Sequence, residues 1–223
     1  MKFTVITLFP DFIKSLDQYS IIGRALKSKK IKLETIDLRD FGLGEYKQVD
    51  DKPYGGGVGM LLRVDVVYEA IKFTRKNAHK KHRVIMLSPE GLAYSQKTVE
   101  KYSGLDELII LCGHYEGFDR RINDFVDEVV SIGPYVLTGG EIPAMAVIDS
   151  VARHVEGVLG KEDSKEVESF SSFKGKRVIE YPQYTRPEKF LGVSVPRVLL
   201  QGNHAQIKKF NESNFLKTDT GNY

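Results

Sequence analysis

The sequence predicts an α/β fold: a mostly parallel sheet with helices on both faces, followed by a small C-terminal domain. Five short runs rich in β-branched residues are each bounded by Pro, Gly or polar clusters. Helical patterns lie between them, and strands alternating with helices build parallel sheets covered on both faces. The third observation is size, since 223 residues can bury a proper core without covalent staples.

Each element follows from its own residues. The run KFTVITLF (2–9) follows a single Met and lacks a small-residue cleavage site, so it reads as an opening strand rather than a signal peptide. SIIGRALKSKK (20–30) reads as a helix and IKLETIDL (31–38) as the second strand. VDVVYEAIKFTRK (64–76) is helical, RVIMLS (83–88) is the third strand, and SQKTVEKYS (95–103) is helical again. ELIILC (107–112) is the fourth strand, in which Cys112 reads as a small buried hydrophobe rather than a nucleophile. DRRINDFV (119–126) reads as a helix and DEVVSIG (127–133) as the fifth strand. After GGEI comes the clearest helix of the chain, where Ala144, Val147, Ile148, Val151 and Val155 form one buried stripe.

Residues 1–160 form the main domain. The polar, serine-rich stretch 161–175 has no sustained period and reads as a linker, and 176–223 form the small second domain, with one strand-like run in RVIEYPQY and a final helix near HAQIKKFNESNF. No stretch approaches the roughly 18 apolar residues of a membrane span, which predicts a cytoplasmic protein with no membrane partner. With one cysteine and no Cys/His set at ligand spacing, neither a disulfide framework nor a protein-held metal is expected. The net charge of +3 lies in residues 161–223, with eleven Lys/Arg against eight Asp/Glu. A polyanion footprint elsewhere must come from clusters such as RALKSKK, RKNAHKKHR and Arg120–Arg121, which serve equally as solvated helix ends and loops.

In open α/β sheets ligands settle beyond the carboxyl ends of strands. PYGGGVGM (53–60) lacks the ending of a P-loop and the spacing of a dinucleotide fingerprint, so it is either a flexible turn or a binding loop. SPEG (88–91), CGHYEGFDRR (112–121) and SIGPYVLTGG (131–140) each place glycines after a predicted strand. Glycine lets backbone approach a ligand closely, while Ile132, Val136 and Leu137 supply apolar walls for a flat ring. Residue chemistry alone thus reaches an α/β protein that binds a nucleotide-like molecule.

Seven ordered motifs carry a more specific reading. DKPYGGGVGMLL, LSPEG, CGHYEGFDRRI, SIGPYVLTGGEIPAMAVIDSVAR, GVLG, YPQYTRP and VPRVLLQGNHAQI closely resemble the bacterial tRNA (guanine-37-N1)-methyltransferase family, from the first strand to about Ile207. The resemblance implies a SPOUT-class α/β domain with a deep trefoil knot, a symmetric homodimer, tRNA as substrate, and bent S-adenosylmethionine held in the knot. It carries cofactor contact onto Pro89, Gly113, Tyr115, Glu116, Ser131, Ile132, Gly133, Tyr135, Val136, Leu137, Gly139, Gly140 and Pro143. Glu116 also fits a plain charge at the start of the following helix. A Mg2+ ion is implied where the reaction needs one.

Methylating guanine N1 calls for a base to take the N1 proton and a cation to meet the charge gathering on O6. By resemblance the cation is Arg153, which otherwise reads as the partner of Asp149 one turn earlier. The family's base is an aspartate before Ser-Phe, and the matching residue here is Glu168 in EVESF. The extra methylene leaves three readings: Glu168 acts from an adjusted loop, the register slips to Asp163 or Glu166, or activity is poor. Pro134 replaces the family's aspartate in the knot loop, removing an acceptor and an N–H. The family also continues into a longer basic tail, whereas this chain stops at Tyr223, which predicts weaker phosphate contact. A non-catalytic knotted RNA-binding homologue is the alternative, and a nucleotide-dependent oxidoreductase is disfavoured by the missing G-x-G-x-x-G.

Overall fold

Strands buried on both faces organise the first of two compact units, Met1–Gly160 and Lys161–Tyr223, into which the chain divides in a computed structural model. The structure describes residues 1–159, 169–173 and 176–217. The five predicted strands are all present: β1 (Lys2–Thr7), β2 (Lys32–Asp37), β5 (His82–Ala93), β6 (Glu107–Cys112) and β7 (Glu128–Ser131). They form one parallel sheet in the order β2-β1-β6-β5-β7. Two further short strands, β3 (Asp50–Asp51) and β4 (Leu61–Leu62), pair antiparallel on either side of the Gly55–Gly57 turn.

β6 runs through the middle of the sheet and is buried along its whole length. Leu108, Ile110 and Cys112 face one layer while Ile109 and Leu111 face the other, the continuous apolar run expected of a strand covered on both sides. One layer is built by α1 (Pro10–Lys14), α2 (Ser20–Lys27), α4 (Gln96–Ser103) and α5 (Glu141–Ala152). The other is α3 (Val64–Lys76), whose Val67, Ala70, Ile71 and Thr74 recur at helical spacing and are buried.

At the start of the sheet a buried carboxylate ties strands together. Glu107 is fully buried, accepts bonds from Thr4 Oγ1 at 2.6 Å and from the His79 N–H at 2.9 Å, and pairs with Lys2 Nζ at 3.0 Å. Burial pushes its carboxyl up, but these three partners together outweigh burial and hold it below the usual glutamate range.

Three elements differ from expectation. DRRINDFV is a 3-10 helix, Arg120–Phe125, because Ile122 is its one buried residue and no apolar stripe sustains an α-helix. The α5 helix stops at Ala152, so Val155 packs on the core from a following turn rather than from the helical stripe. SPEG does not end its strand. β5 leaves its ladder after Leu87 and rejoins at Leu92, both paired with Val130, so residues 88–91 are an excursion from a continuing strand.

The second unit holds more structure than the sequence suggested. β8 (Ser172–Phe173), β9 (Lys176–Ile179) and β12 (Leu216–Lys217) form an antiparallel sheet in the order β12-β9-β8. β10 (Lys189–Phe190) and β11 (Val193–Ser194) form a hairpin whose turn, Leu191–Gly192, has φ of 46° and 89°, as a two-residue hairpin turn requires. α6 (Arg197–Leu200) precedes the predicted final helix, α7 (His204–Ser213), which is capped by Asn203 Oδ1 accepting from the Gln206 N–H.

Candidate active site

The excursion within β5 and the loops at the ends of β6 and β7 converge. They enclose a cavity of about 220 Å³, and all thirteen residues predicted as cofactor contacts line it, from Pro89 on the β5 excursion to Pro143 in the first turn of α5. His114 and Thr138 line it too and were missed. Their membership of the same two glycine loops was the available signal, but neither residue type points to a purine.

Close backbone contacts shape the cavity. The Gly140 N–H donates to Gly113 O at 2.8 Å. A Cβ on Gly140 would stand 2.6 Å from Cys112 Cα and 2.7 Å from Gly113 N, so only glycine lets the start of α5 lie on the end of β6. Tyr115 takes φ of 59°, a costly left-handed conformation outside glycine, and lines the cavity. The turn after β7 bonds to itself: the Gly133 N–H donates to Ser131 Oγ, Ser131 Oγ donates to Gly133 O, and the Tyr135 N–H donates to Gly133 O at 3.0 Å. This turn needs no N–H from residue 134, so Pro134 is accommodated.

PYGGGVGM does not line the cavity; it braces it. The Glu116 N–H donates to Met60 O, the Leu62 N–H to Gly117 O and the Asp119 N–H to Leu62 O, a short ladder that holds the post-β6 loop. Gly59, at φ of 88°, lies under the Glu116 side chain, where a Cβ would collide with it.

The charge of the cavity is informative. Its lining includes the carboxylate of Glu116 and apolar walls from Ile132, Val136 and Leu137, and among the described residues no lysine or arginine lines it. Such a lining suits a flat ring and a positively charged group and gives no counter-charge to a pyrophosphate. The cavity is smaller than the roughly 300–1,000 Å³ of enclosed ligand pockets, so it holds part of a ligand and leaves the rest at its mouth. Among the described residues no group of three or more His, Cys, Asp or Glu could hold a metal ion. No described helix is long and apolar enough to cross a membrane.

Comparison with known proteins decides the family. Residues 1–222 match the model of tRNA (Guanine-1)-methyltransferase TrmD. The chain belongs to the tRNA (guanine-1)-methyltransferase family. Among its relatives, the tRNA (guanine-N(1)-)-methyltransferase of Lachnospira eligens is 47% identical over 97% of this chain and 91% of its own length. That of Latilactobacillus sakei is 45% identical over 97% of this chain and 87% of its own length. The Listeria innocua protein is 42% identical, over 97% and 88%.

Of the residues expected in a tRNA (guanine-1)-methyltransferase site, Arg153 lies apart from the cavity. Arg153 is the C-cap of α5 and does not line the cavity. Pro143 in the first turn of α5 does, and the ten-residue rise from Pro143 to Arg153, at 1.5 Å each, separates their backbones by about 15 Å. That end of α5 is held to the segment after β5 by Tyr94 Oη with Ser150 Oγ and by Gln96 Nε2 with His154 Nε2, each at 2.8 Å. Glu168, and with it Asp163 and Glu166, lies outside the described residues. Cys112 is buried, and burial first, then the charge of Glu141, pushes its thiol well above the ordinary range, which leaves it inert as a nucleophile.

Proposed function

We propose that this protein transfers the methyl group of S-adenosylmethionine to N1 of guanine 37 in tRNA, in the cytoplasm. The observation that carries the reading is the apolar cavity between the β5 excursion and the carboxyl ends of β6 and β7, lined among the described residues by one carboxylate and no basic side chain, in a chain of which residues 1–222 match this methyltransferase family. S-adenosylmethionine, when bound, supplies an electrophilic methyl on a cationic sulfur. The residues from Ile132 to Leu137, which in this reading thread a trefoil knot, wall the adenosine, and the backbone at Gly113, Gly139 and Gly140 admits it closely. Glu116 offers the negative charge that favours a sulfonium.

On the guanine side, Glu168 takes the N1 proton as N1 attacks, and Arg153 meets the charge on O6. Holding both substrates in place removes much of the entropic barrier. Because α5 separates Arg153 from the cavity of its own chain, the site combines two copies of the protein, and the functional unit is a homodimer. The small second unit grips the tRNA. The described residues offer no ligand set for Mg2+.

Incubation with an unmodified tRNA transcript and methyl-labelled S-adenosylmethionine, followed by nucleoside analysis, tests this reading. Label in N1-methylguanine at position 37 is expected. Binding of tRNA without label transfer would favour a non-catalytic RNA-binding protein.

A further inference from the structure

Behind the cavity wall two titratable side chains border the space that Gly139 leaves empty. Glu141 is only 4% exposed, and its Oε1 accepts a 2.6 Å bond from Thr7 Oγ1. A Cβ on Gly139 would stand 2.5 Å from Glu141 Oε2 and 3.1 Å from His114 Nδ1. Among the described residues, Nδ1 of His114 is the one buried side-chain nitrogen or oxygen without a hydrogen-bond partner. Buried polar atoms are nearly always satisfied, so an orphan beside a buried carboxylate points to a missing pairing. The His114 ring cannot turn freely, because Phe9 and Tyr115 pack edge-on against it at 5.1 and 4.8 Å.

A carboxylate oxygen accepts, so Glu141 can pair with His114 Nδ1, which the structure leaves without a partner, only if Nδ1 donates. A neutral imidazole with its proton on Nδ1 has a bare acceptor at Nε2, and His114 lines the cavity. We propose that Glu141 fixes His114 in the Nδ1–H tautomer, so that Nε2 accepts an N–H of the bound cofactor. His114 is then a ligand-binding residue and Glu141 the residue that positions it. The acceptor role rests on assigning the cavity to S-adenosylmethionine; the tautomer does not. The cofactor has two N–H sources, the adenine amine and the α-ammonium.

Histidine ¹⁵N NMR on cofactor-free protein near pH 8 reads the tautomer. The parent should carry its proton on Nδ1. In Glu141→Gln the amide oxygen keeps the Thr7 bond and the NH₂ turns toward His114, so the proton should move to Nε2. Calorimetry with S-adenosylhomocysteine reads the acceptor: Glu141→Gln and His114→Phe should each weaken binding about fivefold, the scale of one hydrogen bond. The double variant should be no worse than either alone, as expected of groups that act together. His114→Gln, whose amide oxygen replaces the acceptor, should recover most of the loss. With 5′-methylthioadenosine, which lacks the ammonium, the penalty vanishes if the ammonium is the donor and persists if the adenine amine is. A proton on Nε2 in the parent, a tautomer indifferent to Glu141→Gln, or variants that bind like a binding-competent parent would overturn the proposal. A parent that shows the tautomer switch but binds no cofactor would overturn the assignment of the cavity, and the acceptor role with it.

Discussion

The α-carbon of Gly91 rests directly on the backbone of Val130: a Cβ there would stand 2.5 Å from both Val130 N and Val130 C. This contact lets β5 rejoin its ladder with β7 after the excursion that carries Pro89 to the cavity. Backbone cannot yield as a side-chain tip can. Gly91→Ala should therefore lower stability by about 2–3 kcal/mol, the scale of overpacking in a tight site. A lower urea midpoint at unchanged m-value would show it.

Acid should weaken the start of the sheet through Glu107. Its folded pKa lies below that of an unfolded glutamate, ~4.3. The stabilisation is thus complete above the unfolded value and is lost as pH falls through the folded one. Glu107→Gln should melt at a lower temperature than the parent at pH 7, with the gap narrowing below pH ~4. Parallel melting curves at all pH values would contradict this.

The two halves of the guanine-side machinery should complement one another between chains. Mixed dimers of Arg153→Ala and Glu168→Gln protomers should regain part of the activity that each homodimer lacks, if the two groups act from different chains. A strictly monomeric species in sedimentation that keeps full turnover would rule out the composite site.

What could be read from the residues divides along physical lines. Strands and helices with a strong period, such as ELIILC and the Val64–Lys76 helix, were legible because burial imposes the period. The excursion at 88–91 was not, because its cause is a contact between Gly91 and a strand almost forty residues away. DRRINDFV has helical residue types but only one buried position, and type alone does not distinguish a 3-10 turn from an α-helix. The cavity was legible as loops, since glycines after strands announce close approach. The role of PYGGGVGM was not, because bracing Glu116 through Gly59 depends on tertiary contact. His114 passed as an isolated histidine until the fold brought Glu141 to its side.

Removing the proposed base should leave binding intact and slow the chemistry. Glu168→Gln should lower kcat and kcat/KM together, by at least ~10²-fold at saturating tRNA. Glu168→Asp should stay within about tenfold of the parent, equivalent to ~1.4 kcal/mol. An active Glu168→Gln beside an inactive Asp163→Asn or Glu166→Gln would move the base to another residue of KEDSKEVESF.

The central claim is that the cavity beyond β5, β6 and β7 holds the cationic methyl donor, and calorimetric titration of S-adenosylmethionine tests it most directly. The parent should bind one molecule per chain, and Gly140→Val, whose side chain would invade the backbone at Cys112 and Gly113, should show no binding. Val136 is exposed at the cavity, so Val136→Arg keeps the fold while adding a cation. That variant should lose several-fold more affinity for the charged S-adenosylmethionine than for neutral S-adenosylhomocysteine. If both variants bind S-adenosylmethionine as the parent does, the cofactor site lies elsewhere and the account is wrong.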